Sequence, residues 1–185
     1  MPKAPKRSSA LETYHAIFAV DPGNHTGVAW SLVPDMGSIK GSLLARLGEG
    51  SATLTGDELC QAVELFGLWQ RFRSDAFRSG IPDSNVHLVI ERFTLRGGQH
   101  AAGRDGTSPE RMAWAFEGYR FGRYSTYRKK KSYIPITWQN PADHAFATRP
   151  RLESWGCWVV GREHERTAYG HLAFKLSKLL KVRAR

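Results

Sequence analysis

The chain has 185 residues, of which 41% are hydrophobic, and this length suits a single folded domain with a hydrophobic core. Its 27 Lys and Arg residues outnumber its 17 Asp and Glu residues, and the net charge of +10 favours a polyanionic partner, with nucleic acid as the leading candidate. No apolar run reaches membrane-spanning length, which argues against an integral membrane protein. Cys60 and Cys157 lack the short spacing of a zinc site, and we expect them to be reduced thiols of a cytoplasmic protein.

The chain is expected to consist of a tail and one domain. Residues 1–12 are basic and polar without the apolar stretch of a signal peptide, so we expect them to form a flexible tail. Residues 13–182 are expected to fold as the single domain.

The first half of this domain begins with predicted strands. Residues 15–20 form a short apolar run that ends at an Asp-Pro-Gly turn, which is typical of a buried strand. Residues 27–32 predict a second strand that forms a hairpin with the first. A third strand is predicted at residues 40–47, and residues 48–56 are expected to be a loop.

Helical apolar spacing then alternates with further apolar runs. The first predicted helix, at residues 57–79, has Thr55 or Asp57 as its N-cap. The elements that follow are a strand at 86–90, a glycine-rich loop, a helix at 110–127, a strand at 133–138, and helices at 141–148 and 163–181. This order predicts an α/β fold in which a mixed central sheet of about five strands is flanked by helices.

Two acidic residues come directly after buried strands. Asp21 follows the first strand and Glu91 follows the strand at residues 86–90. Carboxylates at the ends of neighbouring strands can share a divalent cation, and oxygen ligands suit Mg²⁺ or Mn²⁺. Such a cation stabilises charge on a phosphodiester and helps to deprotonate water, although strand ends also carry acids that are merely solvated.

Four ordered segments resemble one known family. They are Val20-Asp-Pro-Gly-Asn-His-Thr-Gly-Val-Ala-Trp30, Val89-Ile-Glu91, Ile136-Thr-Trp-Gln-Asn-Pro-Ala142 and His164-Glu-Arg-Thr-Ala-Tyr-Gly-His171. Together they resemble RuvC-like Holliday junction resolvases of the phage type, within the ribonuclease H-like superfamily. The resemblance implies a ribonuclease H-like fold and metal-dependent cleavage of branched DNA, with Asp21 and Glu91 as ligands of Mg²⁺ or Mn²⁺.

The same resemblance implies a homodimer, because two symmetric cuts need two sites. The apolar positions of the helices at 57–79 or 110–127 are candidates for its interface. It also implies action in the cytoplasm of a phage-infected bacterium.

The last helix departs from the family pattern. Thr167 stands where relatives carry an Asp, and a hydroxyl is a poor substitute for a metal-binding carboxylate. Residues three or four positions apart share a helix face, so Glu163, His164 and His171 are further candidate catalytic residues, with Glu163 as a replacement metal ligand. Glu163 alternatively stabilises the helix through a favourable interaction with the dipole at its N-terminus. His171 alternatively packs against the sheet.

Basic residues with interleaved aromatics predict a nucleic-acid surface, because cations neutralise phosphates and exposed rings stack on unpaired bases. The cations predicted to bind are Arg92, Arg96, Arg104, Arg128, Lys129, Lys130 and Lys131. The aromatics between or beside them, of which about half are expected in the core, are Tyr119, Phe121, Tyr124, Tyr127 and Tyr133.

Three other functions compete with the resolvase. A related nuclease that acts on RNA would show the same Asp-Pro-Gly turn. A DNA-binding or assembly protein with weakened catalysis is favoured by Thr167. Sugar-kinase-like and actin-like ATPases use a similar turn, but they need a second domain and a second phosphate loop, for which this chain is too short.

Overall fold

The computed structural model describes residues 14–34, 50–92, 109–126, 133–158 and 160–179. Its centre is a hairpin of strands β1 (Tyr14–Asp21) and β2 (Thr26–Pro34). The two strands pair in antiparallel register from Tyr14 opposite Pro34 to Asp21 opposite Gly27. The hairpin predicted from the apolar runs on either side of the Asp-Pro-Gly turn is therefore present.

The remaining strands are β3 (Gly50–Leu54), β4 (Val86–Glu91) and β5 (Ile136–Gln139). They complete a five-stranded sheet in the order β3-β2-β1-β4-β5. β3 pairs antiparallel with β2, whereas β1, β4 and β5 run parallel to one another. The predicted mixed sheet is confirmed, and its arrangement is consistent at a coarse level with a ribonuclease H-like fold.

Helices cover both faces of the sheet. They are α1 (Glu58–Arg78), α2 (Pro109–Thr126), α3 (Arg149–Ser154) and α4 (Glu163–Leu179), with short 3₁₀ helices at Asp83–Asn85 and Pro141–Phe146. Helices α1 and α2 pack on one face, and α3 and α4 pack on the other. Among the described residues, no helix combines the length and apolar character needed to cross a bilayer.

The alternation of side chains along β1 divides the core in two. Phe18 and Val20 are buried against α1 and α2, whereas Ile17 and Ala19 are buried against α4. Because successive side chains in a strand point to opposite faces, Asp21 lies on the α4 side. The same parity places Glu91, two residues after Val89 in β4, on that side.

Two local predictions differ from the structure. Residues 50–54 form β3, although their Gly, Ser and Thr content suggested a loop; pairing with β2 makes them a strand. The predicted helix at 141–148 is a 3₁₀ helix followed by α3, because Pro150 begins a new turn. The strand predicted at 40–47 lies outside the described residues. Asp57 is the N-cap of α1 and accepts from the backbone N–H of Cys60.

A pair of histidines lies between the sheet and the C-terminal half of α4. Nδ1 of His15 and Nε2 of His87 are 3.1 Å apart and share one hydrogen bond. Burial lowers the pKa of His87 to about 4, and the positive charge of Lys175 and the ring of His15 add to this effect. His87 is therefore neutral in the folded chain at neutral pH.

Acid is expected to destabilise the fold through His87. In the unfolded chain this histidine takes up a proton near pH 6.5, its ordinary pKa, whereas in the folded chain it does so only near pH 4, so stability falls as the pH drops between these values. The free energy of unfolding is expected to fall by about 1–2 kcal/mol, because solvent partly screens the half-buried ring and reduces the effect of the pKa difference. Urea unfolding of the wild type and of His87→Gln at pH 7 and pH 4 measures it. Parallel pH profiles for the two proteins would contradict this prediction.

Candidate active site at the carboxyl edge of the sheet

Two carboxylates lie side by side at one edge of the sheet. Val20 and Ile90 are register partners in the parallel strands β1 and β4, so the residues that follow them, Asp21 and Glu91, are neighbours. Both side chains are mostly buried, with 12% and 16% of their surfaces exposed. The prediction that strand ends bring these two acids together agrees with their placement.

Asp21 is paired with a histidine of α4. Its Oδ2 lies 3.2 Å from Nδ1 of His164. Burial raises the pKa of Asp21, the hydrogen bond from His164 opposes this rise, and the charge of Glu91 adds to it. The same hydrogen bond raises the pKa of His164, whose ring is 38% exposed and therefore open to a substrate. The pair thus holds a proton that a ligand at the edge can reach.

Glu91 is paired with a second histidine of α4, two helical turns further on. Nε2 of the fully buried His171 lies 2.6 Å from Oε2 of Glu91, and its Nδ1 lies 2.7 Å from Oε1 of Gln139. The amide oxygen of Gln139 can only accept, so Nδ1 donates to it. Glu91, His171 and Gln139 therefore form one hydrogen-bonded chain from β4 through α4 to the end of β5.

A third histidine, His144, lies at the same place. It belongs to the 3₁₀ helix that follows β5, and its ring meets that of His171 edge-on with centroids 5.7 Å apart. One ligand atom from each of Glu91, His144 and His171 lies within 4.8 Å of the others. The sequence prediction missed His144, since its only signal was the position shortly after a strand that ends at this edge.

The position of α4 depends on a glycine in the hairpin. A Cβ atom on Gly27 would lie 2.1 Å from the carbonyl oxygen of His164 and 2.8 Å from the backbone nitrogen of Glu165. The first turn of α4 therefore touches the β2 backbone directly opposite Asp21. This contact brings the ring of His164 within hydrogen-bonding distance of the Asp21 carboxylate.

Glu165 ties the same turn of α4 to β3. Its buried carboxylate accepts from the hydroxyls of Ser51 and Thr53 and lies beside the guanidinium of Arg162. The carboxylate of Glu165 is therefore directed toward β3. It also connects the two hydroxyl-bearing residues of β3 to α4.

The remaining last-helix candidates lie at the start of α4. Glu163 is exposed in the first turn, where an acid interacts favourably with the helix dipole. The hydroxyl of Thr167 donates to the backbone carbonyl of Glu163 over 3.2 Å. Within the described part of the chain, the potential ligand group contains Glu91, His144 and His171 and leaves out Glu163. Metal ligation by Glu163 stays a prediction.

A pocket of about 240 Å³ opens next to Glu91. Arg92 is exposed at its rim, and Trp114 of α2 and Trp138 of β5 line it with 72% and 43% of their surfaces exposed. Among the predicted aromatics, Phe121 is exposed, whereas Tyr133 is half-buried and donates to Glu117. The predicted cations that lie outside the described residues are Arg96, Arg104, Arg128, Lys129, Lys130 and Lys131.

No protein-family model matches this chain, and a comparison with curated proteins finds no match. The resemblance to RuvC-like resolvases therefore remains an expectation from the sequence.

The side chains at the edge fit a divalent cation in part. The carboxylates of Asp21 and Glu91 offer oxygen atoms of the kind that Mg²⁺ and Mn²⁺ prefer. Their partners at this edge are the imidazoles of His164 and His171, which suit transition metals better than Mg²⁺. The donor set is thus a mixture of hard and borderline ligands.

Replacement of Gly27 tests whether the contact between α4 and the hairpin stabilises the fold. We expect Gly27→Ala to lower the free energy of unfolding by about 3 kcal/mol, because the backbone of α4 must move to admit the methyl group. Gly67→Ala is the matched control: nothing lies within 4 Å of a Cβ there, and alanine should stabilise helix α1 by up to about 1 kcal/mol. Urea unfolding measures both. Equal stabilities for the two variants would show that the contact is not tight.

Proposed function

We propose that this protein is a metal-dependent endonuclease that cuts branched DNA, such as a four-way junction or a flap. One observation carries the proposal. Asp21 and Glu91 end adjacent parallel strands, and each forms a hydrogen bond to a histidine of the same helix. Acids paired with histidines in this way suit phosphodiester hydrolysis, in which negative charge must be stabilised and protons must be transferred.

Each side chain has a role in the proposed hydrolysis. A divalent cation at Asp21 and Glu91 would supply charge stabilisation on the phosphate and activate water. His164, whose pKa is raised by its hydrogen bond to Asp21 and whose ring is partly exposed, is positioned to donate a hydrogen bond or a proton to a phosphate oxygen. His171 is fully buried, and its hydrogen bond to Glu91 holds that carboxylate toward the edge.

The pocket beside Glu91 supports DNA with unpaired bases as the substrate. Two tryptophans and an arginine line a space next to the proposed reaction centre, where a base displaced at a junction or flap could stack. The net charge of +10 favours binding to the phosphate backbone around it. Continuous duplex offers no unpaired base to this pocket.

A non-catalytic DNA-binding or assembly protein is the second candidate. It is favoured by Thr167, whose hydroxyl is hydrogen-bonded to the backbone of its own helix.

A DNA-cleavage assay distinguishes the nuclease from the binding protein. Junction, flap, duplex and RNA substrates in the same assay separate branched DNA from RNA as the substrate of a nuclease. Homodimer formation, which symmetric cutting requires, is tested by sedimentation of the chain with and without a junction.

Removal of one carboxylate tests catalysis. With end-labelled four-way junction and Mg²⁺ or Mn²⁺, we expect Asp21→Asn to lower the single-turnover cleavage rate by about 100-fold or more while junction binding is kept, because the loss falls on the chemical step. The matched control Asp75→Asn changes an exposed acid of α1 and should cut at the wild-type rate. Chelator should abolish cutting. Tight junction binding without cutting under either metal would contradict the nuclease and favour the binding protein.

Removal of one tryptophan tests the pocket. We expect Trp114→Ala to weaken junction binding by about 5- to 150-fold, since stacking on one base contributes about 1–3 kcal/mol, while duplex affinity stays the same. Phe77→Ala, which removes an aromatic ring that is 79% exposed on α1, is the control. Fluorescence anisotropy of labelled junction and duplex at one salt concentration measures the difference. An equal loss of affinity for junction and for duplex would show that the pocket does not bind unpaired bases.

A further inference from the structure

We propose that Glu91, His144 and His171 form a binding site for a transition-metal ion of the Zn²⁺ or Co²⁺ type, which the site prefers to Mg²⁺. This site shares Glu91 with the Asp21–Glu91 position of the proposed nuclease, and the inference rests on that function only for what the ion does. The site itself stands on the geometry of three side chains.

The donor set is the first argument. Two imidazoles and one carboxylate offer ligand atoms within 4.8 Å of one another. A set of two histidines and one acid is sufficient for a tetrahedral zinc centre that leaves its fourth position to water. Imidazole nitrogens suit Zn²⁺ and the later first-row transition metals, whereas Mg²⁺ demands oxygen ligands in octahedral geometry. Three protein ligands of this composition therefore discriminate against Mg²⁺.

The hydrogen bond from His171 to Gln139 is the second argument. Histidines that bind metals usually donate their other ring N–H to an oxygen, which fixes the ring and its tautomer. Nδ1 of His171 lies 2.7 Å from Oε1 of Gln139, and this contact turns Nε2 toward Glu91. A fully buried ring held at one nitrogen presents the other to an ion with little loss of conformational entropy.

The close packing of α4 against the 3₁₀ helix is the third argument. A Cβ atom on Gly170 would lie 2.8 Å from both the Cβ and the backbone oxygen of His144. The glycine therefore lets the backbone that carries His144 approach the helix one residue before His171. His144 itself is exposed, so an ion can enter from solvent.

Cobalt titration of the full chain, purified without a histidine tag, tests the site. We expect one Co²⁺ per chain to give the intense visible absorption of a tetrahedral complex. Zn²⁺ should displace it, and a large excess of Mg²⁺ should not. His144→Ala should weaken Co²⁺ binding by about tenfold or more, while the metal-free Tm stays at the wild-type value because the side chain is exposed. His25→Ala, which removes an exposed imidazole outside the group, should bind Co²⁺ as the wild type does.

Two results would overturn the proposal. They are a cobalt spectrum that never departs from that of the free ion, and His144→Ala binding Co²⁺ as tightly as the wild type. Failure here is distinct from failure of the nuclease. Mg²⁺-supported cutting by a chain that does not bind Co²⁺ overturns the transition-metal site alone. Co²⁺ binding that His144→Ala weakens, in a chain that never cuts DNA, overturns the nuclease and supports the site.

Discussion

The contact between the first turn of α4 and the β1–β2 hairpin determines where the candidate site forms. Gly27 admits the helix backbone at the point where β2 lies opposite Asp21, and Glu165 anchors the same turn to the hydroxyls of β3. From that fixed start, α4 runs along the sheet and presents His164 to the first acid and, two turns later, His171 to the second. A small shift of α4 would separate both pairs together, because one rigid helix carries both histidines.

The alternation of side chains along the strands positions the residues that the sheet contributes to the site. Asp21, Glu91 and Gln139 end three parallel strands, and each side chain points to the face that α4 covers. Two buried acids side by side repel each other when both are ionised, and here each has a histidine partner whose hydrogen bond offsets this cost. The arrangement concentrates carboxylates, imidazoles and their protons at one edge of the sheet, where an exposed ring and an adjacent pocket leave room for a substrate.

The sequence was sufficient to predict the fold class and the positions of Asp21 and Glu91 at the ends of strands, because both follow from local patterns. An apolar run followed by an acid predicts a strand end, and spacing of three or four residues predicts the shared face of Glu163, His164 and His171. His144 and Gln139 were not predicted, since their places depend on the pairing of β4 with β5 and on the close approach at Gly170. Strand β3 was missed for a similar reason, because its stability comes from partners distant in the chain.

The proposed nuclease binds a divalent cation and a DNA phosphate together at this edge of the sheet. A crystal structure of the full chain with a four-way junction and Mn²⁺, with the ion located by anomalous scattering, tests this arrangement. The expected result is an anomalous peak at the carboxylates of Asp21 and Glu91, with a phosphate of the junction beside it and His164 within hydrogen-bonding distance. A junction bound elsewhere on the surface, with no ion at this edge and both acid–histidine pairs intact, would contradict it.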